Sequence, residues 1–120
     1  MADQLYREIV LEHWKNPLNY GVIKNPDIDI EENNPLCGDE IRITIKTDGK
    51  KIKQIAFTSE GCAISTACAS MFTEMVKQKS IQEIKKIKPE VFLDKFGICL
   101  SPVRIKCALL AYSTLKKGLK

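Results

Sequence analysis

The chain has 120 residues, of which 44% are apolar and 28% charged, with five cysteines and a formal net charge of +4. That length supports one hydrophobic core without disulfide staples, so residues 1–120 are expected to form a single domain in which any metal is functional rather than structural. The opening residues, Met1 to Leu5, lack a basic and an apolar run, and no stretch is long enough for a bilayer span, which excludes a membrane partner and gives the cytosol as the expected location.

The positive charge is concentrated in Lys77, Lys79, Lys85, Lys86, Lys88 and the tail Lys116, Lys117, Lys120. Aromatic residues are not interleaved with it and no nucleic-acid pattern accompanies it, so a solvated helical face is expected and nucleic acid is excluded. An acidic protein partner is the other reading. Five cysteines is an odd number, and in a reducing compartment they read as free thiols or metal ligands rather than as a disulfide framework.

In chain order, Asp3 can cap a first helix to about Lys15, with Leu5, Tyr6, Ile9, Val10, His13 and Trp14 on one buried face. Asn16-Pro17 ends it. Ile28 and Ile30 alternate with Asp27, Asp29 and Glu31 like a short edge strand. Ile41, Ile43 and Ile45 alternate with Arg42, Thr44 and Lys46 before an Asp48-Gly49 turn, and Ile55 and Phe57 continue on a return strand, which together make an antiparallel hairpin. Ile52 is out of phase with Ile55, so the strand begins after it or carries a bulge.

From Ala63 to about Lys77, Ile64, Ala67, Cys68, Met71, Phe72, Met75 and Val76 recur at helical spacing. Ser80 and Glu83 form a capping box before a short helix. Pro89 opens another that Gly97 closes, and Ser101-Pro102 starts a last helix running to about Lys117. Strands early and helices late predict an α+β fold, a small antiparallel sheet of about three strands covered on one face by helices.

Three cysteines stand apart from simple core packing. Cys37 lies in Pro35-Leu36-Cys37-Gly38-Asp39, where residues two apart in extended chain point the same way, so its sulfur and the Asp39 carboxylate can face one ion. Cys62 follows Gly61 at a predicted helix start, where unpaired amides and the helix dipole favour a thiolate. Cys107 follows Lys106, whose ammonium can stabilise a thiolate, but among Ile105, Ala108, Leu109 and Leu110 it reads equally as core. Three thiolates and a carboxylate could converge into a four-ligand site suited to zinc, iron or an iron–sulfur cluster. The gaps of 24 and 44 residues between the three cysteines match no zinc-finger spacing. Cys68 belongs to an apolar helix face and reads as core. Cys99 can lie near the site without being a ligand, and His13 reads as packing rather than ligation.

The stretches Asn34-Pro35-Leu36-Cys37-Gly38-Asp39, Ser59-Glu60-Gly61-Cys62-Ala63-Ile64-Ser65 and Pro102-Val103-Arg104-Ile105-Lys106-Cys107 resemble, in order, the three cysteine motifs of the IscU, NifU N-terminal and SufU family. The segment from Tyr6 to Pro17 is similar to that family's first helix. The resemblance implies a SufE/NifU-like fold and an iron–sulfur cluster assembly scaffold, a carrier rather than an enzyme. It accepts sulfur from a cysteine desulfurase, builds a [2Fe–2S] cluster and passes it to apo iron–sulfur proteins. It places the ligands on Cys37, Asp39, Cys62 and Cys107, with Cys37 and Cys107 as candidate persulfide acceptors and zinc as another occupant of the resting protein. Such a ligand set carries excess negative charge that Lys106 and Arg104 can offset from outside the ligand shell.

Two departures matter. Lys106 stands where the IscU branch has histidine, which resembles SufU, yet the chain is too short for the SufU insertion between the second and third cysteines. A SufU-like zinc-dependent sulfurtransferase is therefore the first alternative, and a metal-stabilised adaptor that docks on the desulfurase is the second. Leu100-Ser101-Pro102-Val103-Arg104 is similar to the segment by which IscU is held by an Hsp70-type chaperone, with Ser101 and Arg104 as differences. A homo-oligomer is also compatible with the family.

Overall fold

A computed structural model describes residues 2–34, 38–77, 79–95 and 102–119. Helix α1 (Ala2–Lys15) is followed by strands β1 (Ile28–Asn34), β2 (Asp39–Asp48) and β3 (Lys51–Glu60). Helices α2 (Ala63–Val76), α3 (Ile81–Lys85), α4 (Pro89–Lys95), α5 (Pro102–Ala108) and α6 (Leu110–Gly118) come after them. The strands form one antiparallel sheet in the order β1-β2-β3, with α2 and α6 packed on one face, as the alternating pattern predicts.

The alternation of isoleucines determines which face is covered. Ile41, Ile43, Ile45, Ile55 and Phe57 point into the core and are at most 4% exposed, and each such side chain contributes roughly 1.5–3 kcal/mol by leaving water. The register shifts between Lys46 and Thr47, so that Gln54 faces Lys46 while Ile52 faces Thr47. This bulge returns Ile52 to the core, where it is fully buried. Arg42 bonds Asp29 through Nε at 2.9 Å and Nη2 at 2.6 Å, a bidentate pair across β1 and β2 that holds the Asp29 carboxyl below the usual carboxylate range.

Residues 19–27 border β3 and cross the outer face of the sheet. Gly21 N donates to Phe57 O and Phe57 N to Asn19 O, while Ile23 N donates to the Thr44 hydroxyl and Asp27 N to Ile45 O. On the covered face, Phe72 of α2 meets Phe92 of α4 and Tyr112 of α6 edge-on, with centroids 5.2 and 5.7 Å apart. The Ser80–Glu83 capping box is formed in both directions.

Two expectations are corrected. Trp14 is 47% exposed instead of sharing the buried face of α1, and among the described side chains of that helix Val10 is the one in the buried core. His13 is half-buried against α2. The last helix is divided at Leu109 (φ −93°, ψ 4°). Leu109 N still donates to Ile105 O and Ser113 N to Leu109 O, so the hydrogen-bond ladder continues through a local departure from helical dihedrals. The expected closing Gly97 and capping Ser101 lie outside the described residues.

Candidate metal centre

The register sets the site. Glu40 of β2 faces Glu60 of β3 in the last rung of the hairpin, so Asp39 and Gly61 meet where the sheet ends and α2 begins. Asp39 is fully buried. Its Oδ1 accepts from Cys62 N at 2.7 Å, and its Oδ2 lies 3.6 Å from Cys62 Sγ, which donates to it as a thiol. Cys62 is the N-cap of α2, in extended conformation, and its sulfur accepts from Ser65 N at 3.4 Å.

Gly61 makes the approach of Asp39 sterically allowed. Its φ is +147°, and a Cβ there would stand 1.9 Å from Asp39 Oδ1 and 2.9 Å from Asp39 Cα. A side chain is thus excluded both by the backbone conformation and by the carboxylate that occupies its place. Sequence reading passed over Gly61, although its position beside Cys62 was a signal. With Oδ1 tied to the Cys62 amide, Oδ2 is the oxygen left to face an ion.

Cys107, near the end of α5, completes the cluster. Its sulfur, the Cys62 sulfur and an Asp39 carboxylate oxygen all lie within 4.8 Å of one another. Ligands on a tetrahedral zinc ion stand roughly 3.3–3.8 Å apart, so this donor set fits one thiolate-rich ion after small side-chain movement. Cys107 is 1% exposed, so burial and a place beside Asp39 and Cys62 occur together. It is also disulfide-bonded, whereas Cys62 and Cys68 are free thiols. The expectation of free thiols or ligands is corrected at Cys107 alone. Reduction of Cys107 is required before its sulfur can bind metal.

Cys37, Cys99 and the side chain of Arg104 lie outside the described residues. Lys106 is exposed and lines a cleft with Glu32, Leu109 and Lys117, and Lys117 pairs with Glu32 at 2.6 Å. Cys68 is fully buried, and burial first, then the charge of Cys62, pushes its thiol up to about 12. That is the chemistry of a core residue. His13 bonds the Ser70 hydroxyl at 2.7 Å through Nδ1, which accounts for it as packing.

No helix among the described residues is long and apolar enough to cross a membrane. The family model described as the NifU-like N-terminal domain matches residues 5–120. The zinc-dependent sulfurtransferase SufU of Bacillus subtilis strain 168 is 40% identical over 133 aligned residues, which cover 97% of this chain and 90% of that protein. The alignment is longer than this chain, so that relative carries residues with no counterpart here. The iron–sulfur cluster assembly scaffold protein IscU of Streptococcus pyogenes serotype M1 is 35% identical, covering 98% of this chain and 84% of that protein.

Among solved structures, the SufU scaffold protein of Fervidobacterium islandicum AW-1 superposes with a TM-score of 0.84 at 29% identity over the whole of both chains. The N-terminal part of a NifU-like protein from Brucella abortus shares the fold, at a TM-score of 0.77 and 18% identity over 98% of this chain and 93% of that one. Sequence and fold agree, and the chain belongs to the NifU-like N-terminal domain family.

Proposed function

We propose that this protein is a single-domain carrier on which iron–sulfur clusters are assembled, with Cys37, Asp39, Cys62 and reduced Cys107 as the ligands of its cargo. The convergence of Asp39, Cys62 and Cys107 at one end of the sheet carries the reading. Sulfur arrives from a cysteine desulfurase as a persulfide, with Cys37 and Cys107 as acceptors, and the [2Fe–2S] product leaves for apo iron–sulfur proteins in the cytosol.

The chain's own residues divide the work. Thiolates serve as nucleophiles and as soft ligands, while the Asp39 oxygen is a harder donor that binds iron less firmly and provides a point of exchange. Gly61 and the Cys62 amide hold that carboxylate in place. Lys106 and Arg104 offset the surplus negative charge of the ligand set.

A zinc-dependent sulfurtransferase is the second reading, favoured by Lys106 in place of histidine and by the 40% identity to a protein of that name. Zinc would be held by the same four residues and would keep their thiolates deprotonated near neutral pH. Anaerobic incubation of reduced protein with iron, cysteine and a cysteine desulfurase, followed by absorption spectroscopy and metal analysis, separates the two. Visible cluster bands with stoichiometric sulfide establish the carrier. Retained zinc with rapid sulfur turnover and no cluster overturns it in favour of the transferase.

A further inference from the structure

Ser65 has a buried hydroxyl without a partner. The residue is 3% exposed, and among the described residues its Oγ is the one buried side-chain oxygen or nitrogen left without a hydrogen bond. Such atoms are rare in folded proteins because burial strips them of water without compensation. Alanine would fill nearly the same volume without that penalty.

Ser65 takes none of the partners ordinary for a serine at this position. A helical hydroxyl usually returns to a carbonyl one turn earlier, as Thr73 does to Ala69 O and Thr114 to Leu110 O at 2.8 Å. Four residues before Ser65 stands Gly61, which precedes the helix and has a φ of +147°. The alternative at the third helical residue is to reach back to the N-cap amide, as Glu83 does to Ser80 N. Here that amide belongs to Cys62 and is taken by Asp39 Oδ1. The Ser65 hydroxyl thus stands unpaired on a residue whose amide lies 3.4 Å from Cys62 Sγ.

We infer that Ser65 is a sulfur-binding residue, whose hydroxyl donates a hydrogen bond to an outer sulfur anion carried on Cys62. This rests on the sulfur-accepting function proposed above and adds Cys62 as a holding position. The need for a donor is electrostatic: the Asp39 carboxylate lies 3.6 Å from Cys62 Sγ, so a perthiolate on Cys62 faces a like charge on one side. The Ser65 hydroxyl and amide, at the positive end of the 14-residue helix α2, supply the opposing field. In the loading step the Cys62 thiolate attacks the terminal sulfur of a perthiolate donor. A new S–S bond forms to Cys62, the donor's S–S bond breaks, and the donor leaves as a thiolate, with charge and oxidation level conserved.

The test is an equilibrium. Reduced, metal-free full-length protein is mixed with glutathione and glutathione persulfide at fixed ratio, and sulfur on Cys62 is quantified by alkylation and fragment mass spectrometry. Ser65→Ala is expected to lower the equilibrium constant for sulfur on Cys62 about tenfold, the effect of losing one hydrogen bond to a charged group. The melting temperature should stay level or rise, since no bond is lost from the resting protein. Equal occupancy in Ser65→Ala, or a melting temperature several degrees lower, overturns the assignment. Absence of sulfur from wild-type Cys62 overturns it too, while desulfurase-dependent persulfide on Cys37 or Cys107 would leave the proposed function standing. Only failure of every cysteine to accept sulfur defeats both.

Discussion

The first turn of α2 and its middle are built from the same kinds of residue and behave oppositely. In the middle, Ser70 Oγ accepts from Leu18 N at 2.8 Å and pairs with His13, Thr73 bonds Ala69 O, and Cys68 sits in apolar packing. In the first turn Cys62 is half-exposed beside a buried carboxylate, Gly61 occupies a conformation that other residues disfavour, and the Ser65 hydroxyl is unpaired. Where a helix only has to pack, every local preference is satisfied. Where the chain converges on a site, satisfaction is given up, and such places are where function is expected.

Removing a proposed ligand breaks the contrast most severely. Cys62→Ala and reduced Cys107→Ala should each weaken zinc or cobalt binding by at least about 100-fold, beyond the loss typical of a supporting residue. Competition with a chromophoric chelator measures it, and near-wild-type affinity would remove that sulfur from the ligand set. Gly61→Ala should come next. A methyl group there displaces Asp39, so metal affinity should fall about 10- to 100-fold, with roughly 1–3 kcal/mol of stability lost to backbone strain. If Gly61→Ala binds cobalt with an unchanged visible spectrum, Gly61 does not position Asp39.

Cys68→Ser sharpens the other side of the comparison. It buries a hydroxyl in an apolar setting and should cost about 1–3 kcal/mol in urea denaturation, while the metal affinity of the folded protein stays the same. A loss of binding without a loss of stability would contradict the core assignment. The smallest effect belongs to His13. Burial lowers its pKa, against the raising influence of Glu12 and Glu74, so the unfolded chain binds the proton more readily than the native one. Stability tied to His13 is therefore complete above the ordinary imidazole value of about 6.5 and declines as pH falls through the lower folded value. Denaturation at pH 7.5 and 5.5 should show a smaller pH dependence in His13→Gln than in wild type, and an identical one would mean that His13 is not buried as neutral imidazole.

Much of the fold was legible because its signals are local. Alternating isoleucines in β2 and β3, the Asp48-Gly49 turn, the apolar period of α2 and the Ser80–Glu83 box are properties of short segments, and each element formed where its pattern lay. The phase conflict at Ile52 marked a bulge, since only an extra residue puts both Ile52 and Ile55 in the core. Trp14 misled because helical spacing says which residues share a stripe but not how wide a stripe the neighbouring elements cover. The division at Leu109 had no local signal either.

The sequence by itself determined that Asp39 and Cys62 stand at the end of one hairpin, because a strand, a two-residue turn and a strand of matching length must bring their outer ends together. It also marked Cys68 as core through its place in an apolar period. Only the tertiary structure decided that Cys107, 45 residues beyond Cys62 in the chain, comes within 4.8 Å of both, since that depends on how α5 packs on α2. It also decided that Gly61 yields its side-chain space to Asp39 and that Asp39 takes the Cys62 amide. Contacts of that kind are set by where separate segments meet in space, and no periodicity within a segment encodes them.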